Sequence, residues 1–178
     1  SQRSGFEVIV VDDGSTDESA ERLTRIAGIT AHRNAENLGF VGSCNAGAAL
    51  ARGEYLVFLN NDTQVAPNWL DTLLDTFDQH PRVGLVGSKL VYPDGRLQEA
   101  GGIVFSDGSG WNYGRFGDPR DPACNFVREV DYCSGAAIAI PRALFEQRGG
   151  FDARYAPAYY EDTDLAFQVR EAGLRVLY

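Results

Sequence analysis

Three clusters of carboxylates and amides stand out in this 178-residue chain: Asp12-Asp13, Asn60-Asn61-Asp62 and Glu161-Asp162-Thr163-Asp164. A carboxylate can serve a bound nucleotide in two ways. It can accept the imide N–H of a uracil or thymine ring, which suits Asp12 or Asp13, or it can hold a divalent cation against a diphosphate, which suits Asp62. Mg2+ and Mn2+ take oxygen ligands, commonly one or two carboxylates plus substrate phosphates, so a single aspartate is a workable anchor. The third cluster could supply a general base, a carboxylate that deprotonates a hydroxyl. Each cluster also has a plainer reading. DG and ND pairs make turns, and acidic residues belong in the first turn of a helix as caps and dipole partners.

The elements around these clusters favour the chemical reading. Phe6 to Val11 is nearly all apolar, as a strand covered on both faces would be, and it runs straight into Asp12-Asp13-Gly14-Ser15. Ser15 and Glu18 have capping-box spacing for a helix that Gly28 ends. Ile29-Thr30-Ala31 reads as a short strand, Val41 to Arg52 as a helix stopped by Gly53, and Tyr55 to Leu59 as a buried strand ending in Asn60-Asn61-Asp62. Pro67 opens a helix carrying Leu70, Leu73, Leu74 and Phe77, and a strand follows at Val83 to Val86. This alternation predicts a parallel sheet with helices on both faces. Open α/β sheets bind ligands at the carboxyl ends of their strands, so the first two clusters are expected on one rim. From Lys89 to Tyr132 the signals change to short strands and turns. A strand at Ala136 to Ile140, a helix from Pro141 to Gly149-Gly150, a helix over Thr163 to Ala172 and a strand start at Arg175 complete one mixed α/β domain.

Bulk properties narrow the field. A composition of 44% hydrophobic and 23% charged residues is that of a globular domain, and no apolar run is long enough to span a bilayer. Ser1 to Gly5 lacks the apolar core of a signal peptide. A net charge of −9 argues against nucleic acid as a partner. Cys44, Cys124 and Cys133 are odd in number and form no CxxC pair, which points to reduced thiols of a cytoplasmic protein rather than zinc ligands or disulfides.

Five segments, in order, resemble glycosyltransferase family 2. Val8 to Asp17 is similar to its opening nucleotide-binding segment, and Asn37-Leu38-Gly39 through Asn45-Ala46-Gly47 to its NxGxxxxxNxG helix start. Leu59-Asn60-Asn61-Asp62-Thr63 resembles its DxD metal motif, Ser134-Gly135-Ala136-Ala137 with Gly149 to Asp152 its acceptor-side segment, and Tyr160 to Leu165 its ED motif. The resemblance implies a GT-A fold: a Rossmann-like, mostly parallel central sheet with helices on both faces and a mixed acceptor-side extension. Residues 1–88 would form the nucleotide-sugar-binding half and 89–178 the acceptor half. It further implies inverting transfer of a sugar from a nucleoside diphosphate to a hydroxyl. Asp13 would contact the base and Asp12 shape its turn, while Asn37, Gly39, Asn45, Asn60 and Asn61 would line the nucleotide-sugar site. Asp62 would bind Mg2+ or Mn2+, Asp162 would be the base, and Glu161 would orient the acceptor or Asp162.

The resemblance also implies a chain cut short at both ends, part of a longer polypeptide. The family's Pro-x-Tyr/Asn-type strand has no counterpart before Phe6, nor its late His after Tyr178. Asn60 stands where many members carry Asp, so it adds no negative charge to a metal site. Trp111, Tyr113, Phe116 and Tyr132 are candidates for an acceptor platform, and Arg115, Arg120 and Arg128 for contacts to a diphosphate or acidic acceptor. The Asn37 to Phe40 and Leu59 to Asp62 segments look like bacterial rhamnosyltransferases, which puts dTDP-rhamnose ahead of UDP-sugars as donor. The acceptor would be a glycan or lipid-linked glycan of the cell surface, met on the cytoplasmic side of the membrane. A sugar-1-phosphate nucleotidyltransferase would want a basic Gly-rich loop where Asp12 to Asp17 is acidic. A dinucleotide oxidoreductase would want GxGxxG there. A module that binds nucleotide sugar or glycan without turnover remains the rival from another class.

Overall fold

The structure, a computed structural model, describes residues 5–178; the leader reading of residues 1–4 lies outside the described residues. The chain opens with β1 (Val8–Asp12), a short helix α1 (Ser19–Leu23) and β2 (Ile29–Arg33). β1 and β2 pair in parallel, Val8 opposite Ile29 and Asp12 opposite Arg33. This register sets an Arg33 Nε–Asp12 Oδ2 ion pair at 3.5 Å and carries the ladder on to Asn34, whose N–H donates to Asp12 O at 2.9 Å. The expected Ser15–Glu18 capping box is not used. Ser15 N–H donates to Asp12 Oδ1 instead, and Asp17 Oδ1 accepts from Ser19 N–H beside the start of α1. The DG turn has taken Ser15 for the Asp12 carboxylate.

α2 (Gly39–Leu50) follows and packs on β1, so closely that a Cβ on Gly47 would lie 3.1 Å from Val11 Cγ2. Next come β3 (Tyr55–Leu59), α3 (Trp69–Gln79) and β4 (Val83–Gly87). The middle of the chain holds the short strands β5 (Leu90–Val91), β6 (Leu97–Glu99), β7 (Gly102–Val104) and β8 (Gly110–Asn112), joined in pairs as two antiparallel ribbons. β9 (Ala137–Pro141), α4 (Arg142–Gln147), α5 (Glu161–Glu171) and β10 (Arg175–Leu177) complete the chain.

The larger sheet has the order β10-β4-β9-β3, with β10 parallel to β4 and β9 antiparallel to both β4 and β3. The sheet is thus more mixed than the β-α-β alternation suggests, because β9 enters from the acceptor half and separates β3 from β4. The composition of β9 explains why it fits there. Its side chains alternate between the two faces. Ile138 and Ile140 join a core with Leu85, Phe145, Phe151, Leu165, Val169 and Val176. The small Ala139 faces the other way, into a cluster with Leu73 of α3 and Val86. Phe58, Phe145 and Phe151 pack ring against ring with centroids 5.1 to 5.4 Å apart on the first of these faces. Helices therefore cover both faces of the sheet.

Candidate active site

At the β1 end, the two aspartates have different work. Asp12 is buried; Ser15 holds its carboxyl below the usual range through hydroxyl and amide hydrogen bonds, helped by the Arg33 charge. Asp13 closes the start of α2. Its Oδ1 accepts from Leu38 N–H at 2.8 Å and from the Asn34 amide at 2.7 Å, and its Oδ2 from Gly39 N–H at 2.8 Å. Burial opposes the Asp13 charge, but the bonds from Leu38, Asn34 and Gly39 outweigh it and keep the carboxyl low. Asp13 is therefore a carboxylate cap on a helix N-terminus, while the base-contact role implied for it would use whatever acceptor capacity those three bonds leave. Asn37 Oδ1 also accepts from Gly39 N–H, at 3.1 Å. Asn34, buried and bonded to both Asp13 and the Ser43 hydroxyl, was not singled out from sequence. Its place at the carboxyl end of β2, beside the end of β1, is the signal that marks it.

Asn45 is used differently from its implied ligand role. Its side-chain amide donates to Phe151 O at 2.8 Å and accepts from Phe151 N–H at 2.9 Å, which ties α2 to the Gly149-Gly150-Phe151 turn. A Cβ on Gly150 would meet Asn45 Oδ1 at 2.6 Å, so the double glycine makes room for this tie. The arrangement makes Asn45 a brace between α2 and the turn before Phe151.

The turn after β3 carries Asn60-Asn61-Asp62, the segment that resembles the DxD motif. Asn60 is half-buried and Asn61 and Asp62 are exposed; Thr63 closes the turn through its N–H and hydroxyl to Asn60 O. Among the described residues no three His, Cys, Asp or Glu side chains converge to hold a metal ion. An exposed carboxylate next to two amides is a donor set for a cation that takes most of its oxygens from phosphate and water, which is how Mg2+ is commonly bound. The residues fit such an ion with Asp62 as the protein ligand.

Residues 134–136 connect this turn to the third cluster. Asn60 N–H donates to Ala136 O at 2.9 Å, and Gly135 N–H donates to Asp162 Oδ2 at 2.9 Å. Asp162 Oδ1 accepts from Thr163 N–H at 2.7 Å. The half-buried Asp162 therefore sits in the first turn of α5 with both oxygens oriented by backbone amides. Gly135 has no space for a side chain: a Cβ would lie 3.1 Å from Phe40 Cζ and 3.6 Å from Asp162 Cβ. Gly39 is as tightly placed, with φ +69° and a Cβ position 3.0 Å from Pro157 Cβ. These contacts press the start of α2 against the segment that leads into α5, so the structure brings Asp13, the Asn60–Asp62 turn and Asp162 to one end of the molecule.

Glu161, expected to orient the acceptor or Asp162, is buried next to Asp162 in the chain. It is 5% exposed, its Oε2 is shut from solvent without a hydrogen-bond partner, and its charge is felt by Cys44 of α2. Burial raises its carboxyl above the usual range, and the adjacent Asp162 adds to that. Another buried carboxylate, Glu99 of β6, accepts from Ser134 N–H at 2.9 Å. Period-two alternation would have found it, because Leu97 and Glu99 share one face of their strand and Leu97 is core.

The candidate acceptor-side aromatics and arginines divide. Tyr132 is buried, its ring under Gly102 and its hydroxyl donating to Asn112 Oδ1, so it is part of the frame. Phe116 stacks on Tyr92 between Arg96 and Arg115, and Tyr113 lies under Arg128. Arg120 pairs with Asp118. All three candidate arginines are engaged within the chain. Trp111 on β8 remains half-exposed, and Tyr159 and Tyr160, ahead of α5, are exposed; the Tyr160 hydroxyl donates to Gly108 O in the β7–β8 turn.

The model of glycosyl transferase family 2 matches residues 1–149. The chain belongs to glycosyltransferase family 2. The family match ends ahead of Glu161 and Asp162, so the assignment does not depend on them. An uncharacterized protein y4gI of Sinorhizobium fredii is 35% identical over 94% of this chain. The O-antigen biosynthesis protein RfbC of Myxococcus xanthus is 36% identical over 75% of it. The N-acetylglucosaminyl-diphospho-decaprenol L-rhamnosyltransferase of Mycobacterium tuberculosis is 29% identical over 96%. The matched regions span 20%, 11% and 63% of those relatives' own lengths. Among solved structures, GalNAc-T7 with UDP, GalNAc and Mn2+ superposes with a TM-score of 0.73 at 18% identity, covering 96% of this chain and 36% of that one. The mannosyltransferase PcManGT of Pyrobaculum calidifontis with GDP-Man and Mn2+ gives 0.66 at 22%, covering 96% and 44%. The family 2 domain thus has the GT-A fold. Among its described residues no helix is long and apolar enough to cross a membrane.

Proposed function

We propose that this domain catalyses inverting transfer of a sugar from a nucleoside diphosphate to a hydroxyl of a glycan or lipid-linked glycan. The observation that carries the reading is Asp162, a carboxylate whose two oxygens are fixed by the amides of Gly135 and Thr163 in the first turn of α5. Fixed in this way, Asp162 accepts the proton of the attacking hydroxyl with little reorganisation. The acceptor hydroxyl attacks the anomeric carbon from the face opposite the diphosphate, which inverts the configuration. Asp62 would hold Mg2+ or Mn2+, which would offset charge on the leaving diphosphate when bound. Asp12, Asp13, Asn34 and Asn37 shape the loop that receives the nucleoside, Asn60 and Asn61 offer amides to its sugar, and Trp111 and Tyr159 offer faces to the acceptor. Mn2+ and nucleotides in the two solved neighbours support the cofactor assignment.

The donor is dTDP-rhamnose or a UDP-sugar, and the product belongs to bacterial cell-surface polysaccharide, made on the cytoplasmic side at the inner face of the membrane. The rhamnosyltransferase and O-antigen relatives support that assignment. In a transfer assay with dTDP-rhamnose and UDP-sugars, Asp162→Asn is expected to lower kcat by about 10²- to 10⁴-fold, the range of general base catalysis, with donor KM unchanged. Undiminished turnover by Asp162→Asn removes Asp162 as the base.

A further inference from the structure

Glu99, like Glu161, is a buried carboxylate near Asp162 that the mechanism above leaves without a task. It is 1% exposed, and its Oε2 is sealed from solvent with no hydrogen-bond partner. Its Oε1 accepts from Ser134 N–H at 2.9 Å, and the next amide in the chain, Gly135 N–H, donates to Asp162 Oδ2 at the same distance. Two carboxylates thus grip successive N–H groups of one short segment. The same segment accepts, through Ala136 O, the N–H of Asn60 in the turn after β3. A buried carboxylate with an unsatisfied oxygen is costly to keep, and such groups are retained most readily where they serve a site.

We propose that Glu99 is a positioning residue of the active site, a buried carboxylate that holds Ser134-Gly135 in place and, through the Gly135 N–H, fixes the Asp162 carboxylate. The proposal rests on the reading of Asp162 as the base. The groups that face Glu99 are Asp162 on α5, Tyr132 and Cys133 ahead of β9, and Tyr178 after β10, with Arg128 beside Tyr178 and Cys133. Burial raises the Tyr132, Cys133 and Tyr178 side chains, so all three stay neutral around pH 7 and Asp162 is the partner whose charge matters. Burial first, then Asp162, pushes Glu99 up to about 7 against the Ser134 hydrogen bond. Below that pH Glu99 is neutral and holds the Ser134 N–H weakly. Above it the Glu99 anion holds that N–H through a stronger, charge-assisted hydrogen bond and so fixes Ser134-Gly135, and Asp162 with it, more firmly.

Glu99→Gln keeps the shape and the acceptor for Ser134 N–H but cannot ionise. The ratio of wild-type to Glu99→Gln kcat should climb from near one at about pH 5.5 to about tenfold at about pH 8.5, with donor KM unchanged. A flat ratio overturns the proposal, since loss of a merely structural contact would not follow the Glu99 titration. Carbon-13 NMR of the carboxyl groups gives a reading that needs no turnover. Glu99 should titrate near pH 7 in wild type and lower in Asp162→Asn, where the like charge is gone. An ordinary glutamate titration, or one blind to Asp162→Asn, overturns the coupling. If coupling persists while Asp162→Asn turns over normally, the base assignment has failed and the coupling has not.

Discussion

The Asn60–Asp62 turn and the cluster around Asp162 are built to opposite rules. In the turn, the side chain offered to a cation, Asp62, is exposed, with Asn60 and Asn61 beside it. The cluster instead gathers Glu99 and Glu161, nearly sealed from solvent, behind Asp162, whose two oxygens are each bound by a backbone amide. The difference follows from what each region is proposed to do. A diphosphate and its cation bring charge and oxygen ligands with them, so the protein needs only a few open donors. Proton removal from a hydroxyl has to be prepared by the protein alone, and preparation takes fixed geometry and a low-dielectric backing. Glu99 and Glu161, like Asp12 at the end of β1, carry a buried oxygen without a hydrogen-bond partner, the usual mark of stability given up for a site.

The contrast holds only if both regions hang on one frame, and Asn45 is the strongest test of that. Asn45→Ala orphans the Phe151 N–H and C=O and should cost about 4 kcal/mol, read by chemical denaturation. A loss below about 1 kcal/mol would mean that α2 and the Gly150 turn are not joined as described. The next test separates the regions by pH. The folded value for Glu99, about 7, lies above its ordinary 4.5, so the native state holds that proton more tightly than the unfolded chain does. Stability therefore falls as pH rises through that interval, by about 3 kcal/mol from this group. Denaturation midpoints measured between those pH values should show the slope in wild type and lose it in Glu99→Gln. The smallest effect concerns the seam. Gly39→Ala places a Cβ against Pro157 at a positive φ and should lower stability by about 2 kcal/mol while weakening nucleotide binding, because the Asp13 loop must shift. Thermal unfolding and nucleotide titration of that variant check both parts.

Much of this was legible in the residues. Apolar strands running into polar ends put Asp12 and Asp13 at the end of β1 and Asp62 just after β3, although β1 and β3 lie in separate sheets, and β3 was bounded correctly at Tyr55 and Leu59 because its apolar run is abrupt. The helix expected over Thr163 to Ala172 begins two residues earlier, at Glu161, which puts Asp162 in its first turn. What escaped were facts of long-range pairing. Nothing near Asn45 announces a partner 106 residues on, and its motif position suggested a ligand instead. The insertion of β9 between β3 and β4 depends on β-pairing across half the chain, while local alternation speaks only for neighbouring elements. Glu99 and Asn34 were readable in principle, from strand alternation and strand ends, but a glutamate in a three-residue strand looks like surface until its face is known.

Calorimetric titration of UDP and dTDP, with and without Mn2+, into wild type, Asp62→Ala and Asp162→Asn tests the division of labour most directly. The account predicts Mn2+-dependent binding in wild type, its loss in Asp62→Ala, and undiminished binding in Asp162→Asn. Metal-independent binding by wild type, or loss of binding in Asp162→Asn equal to that in Asp62→Ala, would contradict it.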